Sequence, residues 1–120
     1  MNGAVFVVNP ASANGSTRRR WPEIAHRAAE LGLAGEALFS ERPGHAAELA
    51  ERAAADGARL VVAVGGDGTV NEIANGLLAA GGEEPPELAV IPRGTGTDFV
   101  RHFRIPRDLD RAVATALSGG

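Results

Sequence analysis

Apolar positions along the chain follow two rhythms. Short apolar runs without polar alternation occupy Ala4 to Val8, Leu60 to Val64 and Leu88 to Ile91, with a weaker one at Glu36 to Ser40. Such β-branched runs predict strands buried on both faces of a parallel sheet. Between them, apolar residues recur at helical spacing: Trp21, Ile24, Ala25 and Ala28; Ala46, Leu49, Ala50 and Ala53; Val70, Ile73, Ala74, Leu77 and Leu78; and Leu109, Ala112, Val113, Ala116 and Leu117. Each set marks one face of an amphipathic helix. Gly32 and Gly57 stand where the first two helices should stop. Pro43 or Gly44 opens the second, and Asp108 stands near the start of the last. Pro22 belongs in a first turn, which predicts a regular first helix from near Arg18–Arg20. Gly81 to Pro86 reads as a loop, and Pro92 breaks the fourth strand. Strands alternating with helices mean βαβ units. The prediction is a three-layer α/β/α sandwich around a mostly parallel, Rossmann-like sheet, with no repeat and no internal linker.

The third strand runs straight into Gly65-Gly66-Asp67-Gly68-Thr69, and a helix opens at once. Thr69 and Glu72 have capping-box spacing, which predicts that the box sets the helix start. Strand, Gly-rich turn and helix N-terminus together present backbone N–H groups and a positive dipole end to an anion. Three glycines in four residues predict a backbone that comes close to a phosphate. Asp67 would repel that phosphate unless a cation bridges them, and Mg²⁺ takes oxygens from both. For Glu72, completing the capping box is a strong alternative to a role in the site.

Two further loops follow strands. Asn9-Pro10-Ala11-Ser12 leaves the C-terminal end of the first strand, where parallel sheets bind ligands; a plain turn accounts for the same residues. Pro92-Arg93-Gly94-Thr95-Gly96-Thr97-Asp98 leaves the fourth, offering backbone donors and hydroxyls. Asp98 also suits an N-cap for a short turn through Phe99 to Phe103. Ser40, at the end of the second strand, offers a hydroxyl to a ligand or to its own turn.

Composition narrows the chemistry. All twelve basic residues among the 120 are Arg, which excludes a Walker-type loop and a Lys Schiff base. There is no Cys, so neither a thiolate metal site nor a Cys nucleophile is available. One Trp, four Phe, no Tyr and a net charge of −3 argue against nucleic acid as a partner. His26, His45 and His102 show no metal spacing. Arg18-Arg19-Arg20 reads as a solvated helix start rather than a lipid-headgroup patch. No apolar stretch approaches the ~20 residues that cross a bilayer, and no signal-peptide pattern opens the chain. A cytoplasmic location, peripheral to a membrane where a lipid is used, is expected.

Gly65-Gly-Asp-Gly-Thr-Val-Asn-Glu-Ile-Ala-Asn-Gly-Leu77 resembles the signature of the diacylglycerol kinase catalytic domain, shared with sphingosine and bacterial lipid kinases. The shorter Gly-Gly-Asp-Gly-Thr also marks NAD kinases, but Asn71-Glu72 and Asn75-Gly76-Leu77 favour the lipid-kinase branch. Asn9-Pro10-Ala11-Ser12 resembles the family's Asn-Pro-x-Ser-Gly, with Ala13 in the Gly position. Pro92 to Arg101 resembles its Pro-x-Gly-Thr-x-Asn-Asp-Phe-x-Arg, with Thr97 for Asn. The resemblance implies an N-terminal nucleotide-binding domain over 1–120, followed in the parent enzyme by a β-rich second domain that holds the general base. It implies transfer of the γ-phosphoryl of ATP, with Mg²⁺, to the hydroxyl of a diacylglycerol-like lipid at a membrane surface. Asp67 would act on the metal and phosphate side, directly or through water. The nucleotide would meet Asn9, Pro10, Ser12, Ser40, Gly65, Gly66, Gly68, Thr69, Asn71, Glu72, Gly94, Thr95 and Asp98. Alternatives are an NAD kinase-like enzyme and a non-catalytic nucleotide-binding regulatory module. Without the second domain the chain is expected to fold, to lack catalysis and to expose a surface through which it can self-associate.

Overall fold

A computed structural model describes residues 3–82 and 85–93. Four strands and three helices alternate: β1 (Ala4–Val8), α1 (Ser16–Glu30), β2 (Glu36–Phe39), α2 (His45–Ala55), β3 (Leu60–Gly65), α3 (Asp67–Ala80) and β4 (Glu87–Pro92). All strand pairs are parallel, in the order β2-β1-β3-β4. The predicted Gly94–Asp98 loop, the turn at Phe99 and the helix through Leu109–Leu117 lie outside the described residues.

The sheet has two apolar faces because alternate residues of each buried strand point opposite ways. Ala4, Phe6, Val8, Val62, Val64 and Ile91 pack with Ile24 and Ala28 of α1. Val7, Val61, Ala63 and Val90 pack with Ala50 of α2 and Val70 and Ile73 of α3. The three layers are therefore α1, the sheet, and α2 with α3. On the second face the helices cross closely at Gly76, where a Cβ would strike the Ala47 carbonyl. That contact explains a glycine inside a helix, where it costs about 0.5–1 kcal/mol relative to Ala.

Topology decides where a ligand can sit. From β1 the chain turns outward to β2 through α1 on one face. From β3 it turns the other way, to β4, through α3 on the opposite face. The loops after β1 and β3 thus diverge from two adjacent strands, leaving a crevice between their C-terminal ends. Open α/β sheets bind ligands at such a switch point.

Two helix starts differ from the sequence prediction. α1 begins at Ser16, so Pro22 lies inside it. The loop ahead of α1 supplies the reason. It accepts the first helical amides, Ser16 N–H to the Ala13 carbonyl (3.1 Å), Thr17 N–H to Ser12 (3.4 Å) and Arg18 N–H to Pro10 (3.1 Å). Pro22 lacks the N–H that the Arg18 carbonyl would take, and it sits on an exposed stretch where water can replace it. α3 begins at Asp67 after an extended Gly66 (φ −95°, ψ −167°), with no side-chain cap. The capping box is not formed, because Gly66, three residues earlier, is the N-cap and Thr69 already lies inside the helix; Thr69 and Glu72 take partners far along the chain instead. No described helix is long and apolar enough to cross a membrane.

Candidate functional site

A cavity of about 860 Å³ opens at the C-terminal ends of β1 and β2, between α1 and the starts of α2 and α3. Asn9, Pro10, Ser40, Thr69 and Glu72 line it, as do Arg18, Trp21, Phe39 and Arg42. Five of the predicted site residues thus converge on one space, from the loops after β1 and β2 and from the first turns of α3. Ser40 stands just past β2, held by its amide on the Val8 carbonyl (2.9 Å). Asn71 is exposed on α3 and does not line the cavity; nor do Ser12, Gly65, Gly66, Asp67 and Gly68, which stand beside it in the loop after β1, at the end of β3 and at the start of α3. Gly94, Thr95 and Asp98 lie outside the described residues.

Asn9 closes the crevice. Its Nδ2 donates to Thr69 Oγ1 at 3.1 Å, across the switch point, and its Oδ1 accepts the Ala11 amide at 3.1 Å. The second bond fixes which way the side-chain amide faces. Thr69 is only 5 % exposed, and its hydroxyl is the atom nearest a Cβ built on Gly65, at 2.6 Å. Gly65 is therefore a glycine because α3 starts directly against the strand end. Glu72 accepts the Gly44 amide at 3.0 Å, tying α3 to the start of α2.

Gly68 is a different case. Among the described residues nothing lies within 4 Å of a Cβ built there, and no left-handed φ requires glycine. Neither packing among the described residues nor backbone conformation accounts for a residue this unfavourable in a helical turn. Gly66 is extended, so conformation does not demand glycine there either. The first intrahelical bond of α3 runs from Val70 N–H to the Gly66 carbonyl (3.1 Å). The amides of Gly68 and Thr69 stay outside the helix's own ladder and remain available to an anion. At α1, by contrast, the loop has already taken the equivalent amides.

That loop carries strain. Ala13 and Asn14 have φ of +53° and +58°, followed by Gly15 at +84°. The turn survives because side chains brace it. Ser12 Oγ donates to the Asn9 carbonyl at 2.7 Å and meets Thr17 Oγ1 at 2.7 Å. Ser12 has one hydroxyl proton, so Thr17 is the donor in the second contact. Thr17 Oγ1, fully buried, in turn accepts Arg93 Nε at 3.1 Å. Arg93 Nη2 reaches Ser16 Oγ at 2.9 Å, and its amide donates to the Gly65 carbonyl at 2.8 Å. A one-way relay thus runs from β4 through α1 to the Asn9 loop. Burial lowers the Arg93 pKa from its ordinary value; Arg20 adds to that and Glu23 opposes it.

Sequence reasoning missed four of these positions. Thr17 and Arg93 carry the relay over a separation of 76 residues, which no local pattern reports. Trp21 reads as a core position by periodicity alone. Arg18 reads as solvated, yet it lines the cavity, whereas Arg20 pairs with Glu23 at 3.3 Å.

The family model described as the diacylglycerol kinase catalytic domain matches residues 3–120. A diacylglycerol kinase of Staphylococcus aureus (strain MRSA252) is 36% identical over 118 residues, covering 97% of this chain and 36% of the relative. One of Staphylococcus haemolyticus (strain JCSC1435) is 37% identical over 112 residues, covering 92% and 33%. The crystal structure of a diacylglycerol kinase from Bacillus anthracis str. Sterne superimposes with a TM-score of 0.76 at 31% identity, covering 92% of this chain and 37% of that one. The chain spans about a third of the length of the curated relatives it matches.

Proposed function

Because the chain belongs to the diacylglycerol kinase catalytic domain family, we propose that it supplies the nucleotide side of an ATP-dependent lipid kinase. The acceptor is the hydroxyl of a diacylglycerol-like lipid at a membrane surface. The observation that carries the reading is the pairing of Gly68, a glycine explained by neither packing nor conformation, with the Asn9–Thr69 bond beside a cavity large enough for a nucleotide.

Phosphoryl transfer is mostly positioning and electrostatics. The α3 amides at Gly68 and Thr69 meet the phosphates, with Gly65 and Gly66 letting the backbone approach. Asn9 holds Thr69 in place, and Arg18 brings positive charge to the same space. Ser40 presents its hydroxyl to the nucleotide from the β2 side. Asp67 stands half-buried in the first turn of α3. Among the described residues no group of three His, Cys, Asp or Glu could hold a metal. Magnesium nevertheless fits, since it takes one or two carboxylates alongside phosphate oxygens and water. Asp67 would be its protein ligand, directly or through water. When bound, the ion neutralises charge on the phosphates during transfer.

None of the described residues is assigned as the general base. We place the base and the lipid seat in a second, β-rich domain of the parent enzyme. The test is transfer of label from γ-labelled ATP to a panel of lipids by the full-length parent, with NAD as a soluble alternative acceptor. Labelled diacylglycerol supports the reading. Labelled NAD, or nucleotide binding with no acceptor labelled, overturns it.

A further inference from the structure

Trp21 sits on the same helical stripe as Ile24 and Ala28, but the stripe does not end alike. Ile24 and Ala28 are buried in the core, whereas Trp21 is half-buried and lines the cavity. Its ring is held from two sides. Phe6, in the core, meets it edge-on at 5.4 Å and 66°, and Phe39 meets it at 6.1 Å and 86°. Both are favourable edge-to-face geometries, and they fix the indole plane. Phe39 is 43 % exposed, one of two large apolar side chains exposed among the described residues. It too lines the cavity.

Two nearly perpendicular rings form an apolar corner with a face on one side and an edge on the other. A flat heteroaromatic ring stacked on one of them meets the other edge-on, so the corner suits a planar ligand in both contacts. The rest of the cavity wall is polar. Asn9, Thr69, Arg18 and Arg42 offer an amide, a hydroxyl and two cations to an anion, beside the carboxylates of Glu41 and Glu72. One space therefore has both aromatic rings and anion-binding groups on its wall, the two kinds of contact that a nucleotide needs.

We propose that Trp21 and Phe39 form the subsite for the purine base of the bound nucleotide, with Trp21 as its stacking residue. The inference rests on the nucleotide reading above and extends it to named side chains. Phe6 acts as a positioning residue, because it holds the indole without reaching the ligand. Base–aromatic stacking tolerates any base with a π-face, so the corner sets affinity more than base identity.

Trp21 is the only Trp in the 120 residues, so indole emission reports this site alone. The test uses the 120-residue chain, titrated with Mg-ATP and, separately, with Mg-tripolyphosphate. Emission and calorimetric heat are followed in parallel. Mg-ATP is expected to change the emission along the same isotherm as the heat, and tripolyphosphate to leave the emission unchanged. Trp21→Ala is expected to weaken ATP binding on the order of tenfold, and Trp21→Phe to recover most of it. Should Trp21→Ala fail to fold by circular dichroism, Phe39→Ser, on the exposed side of the corner, is expected to weaken ATP in the same direction. ATP heat with unchanged emission, or equal affinity in a folded Trp21→Ala or Phe39→Ser variant, overturns the base subsite and leaves nucleotide binding standing. No heat with ATP at all overturns both.

Discussion

Gly65 and Gly68 differ by three positions, and the structure predicts opposite outcomes when each becomes Ala. At Gly65 a Cβ would lie 2.6 Å from Thr69 Oγ1 and 2.8 Å from Thr69 Cβ. Thr69 Cβ is not the free end of a flexible chain, and Thr69 is buried, so the start of α3 must move. Overpacking of this kind costs about 1–3 kcal/mol. At ~2.1 cal/mol/K per residue, unfolding a chain of 120 residues has an entropy near 0.25 kcal/mol/K. Gly65→Ala should therefore lower Tm by about 4–12 °C. At Gly68 the same methyl meets no described residue within 4 Å and replaces a poor helix former. Gly68→Ala should raise Tm by about 2–4 °C. Yet Gly68→Ala should weaken Mg-ATP, since the methyl stands where the backbone is predicted to approach phosphate. Thermal melts at 222 nm and calorimetric titration of both variants are the assay. An unchanged Tm in Gly65→Ala would refute the packing argument. Unchanged ATP affinity in a stabilised Gly68→Ala would remove the glycine from the phosphate cradle.

Two further changes probe the loop after β1. Ala13→Gly should raise Tm by about 2–4 °C, because a left-handed Ala is strained while Gly is not, less the entropy that Gly adds to the unfolded chain; a lower Tm would contradict the strain. Thr17→Val keeps the buried shape but leaves Arg93 Nε and Ser12 Oγ without their shared partner. It should cost about 1–3 kcal/mol and lower Tm by about 4–12 °C, and a melt within a degree of wild type would dissolve the relay.

What could be read from the residues was what is local. The apolar runs placed β1 residue for residue, and the stripe from Ala46 to Ala53 placed α2, because strand and helix periods are written along the chain itself. The alternation of the two implied the parallel sheet, and a parallel sheet implies its ligand edge. The convergence of Asn9, Ser40 and Thr69 follows from that edge. What escaped is tertiary. Thr69 and Glu72 have capping-box spacing, but Asn9, 60 residues away, and Gly44, 28 residues away, supply their bonds instead. Pro22 marked a first turn by local rules, while loop carbonyls extended α1 back to Ser16. Trp21 fitted a core stripe, and only the opening of the cavity beside Phe39 separates it from Ile24. Asn71 belongs to the family signature, yet helical geometry turns it away from the cavity.

Asp67 and the glycines around it are predicted to serve phosphoryl transfer to a lipid in the full-length parent. The most direct measurement compares the full-length parent enzyme with its Asp67→Ala variant, using γ-labelled ATP and magnesium on diacylglycerol in mixed micelles, with circular dichroism to verify the fold. Labelled lipid from the wild type, and its loss in an Asp67→Ala protein with an unchanged spectrum, is the predicted result. Near-normal labelling by the folded variant, or none by the wild type, would contradict it.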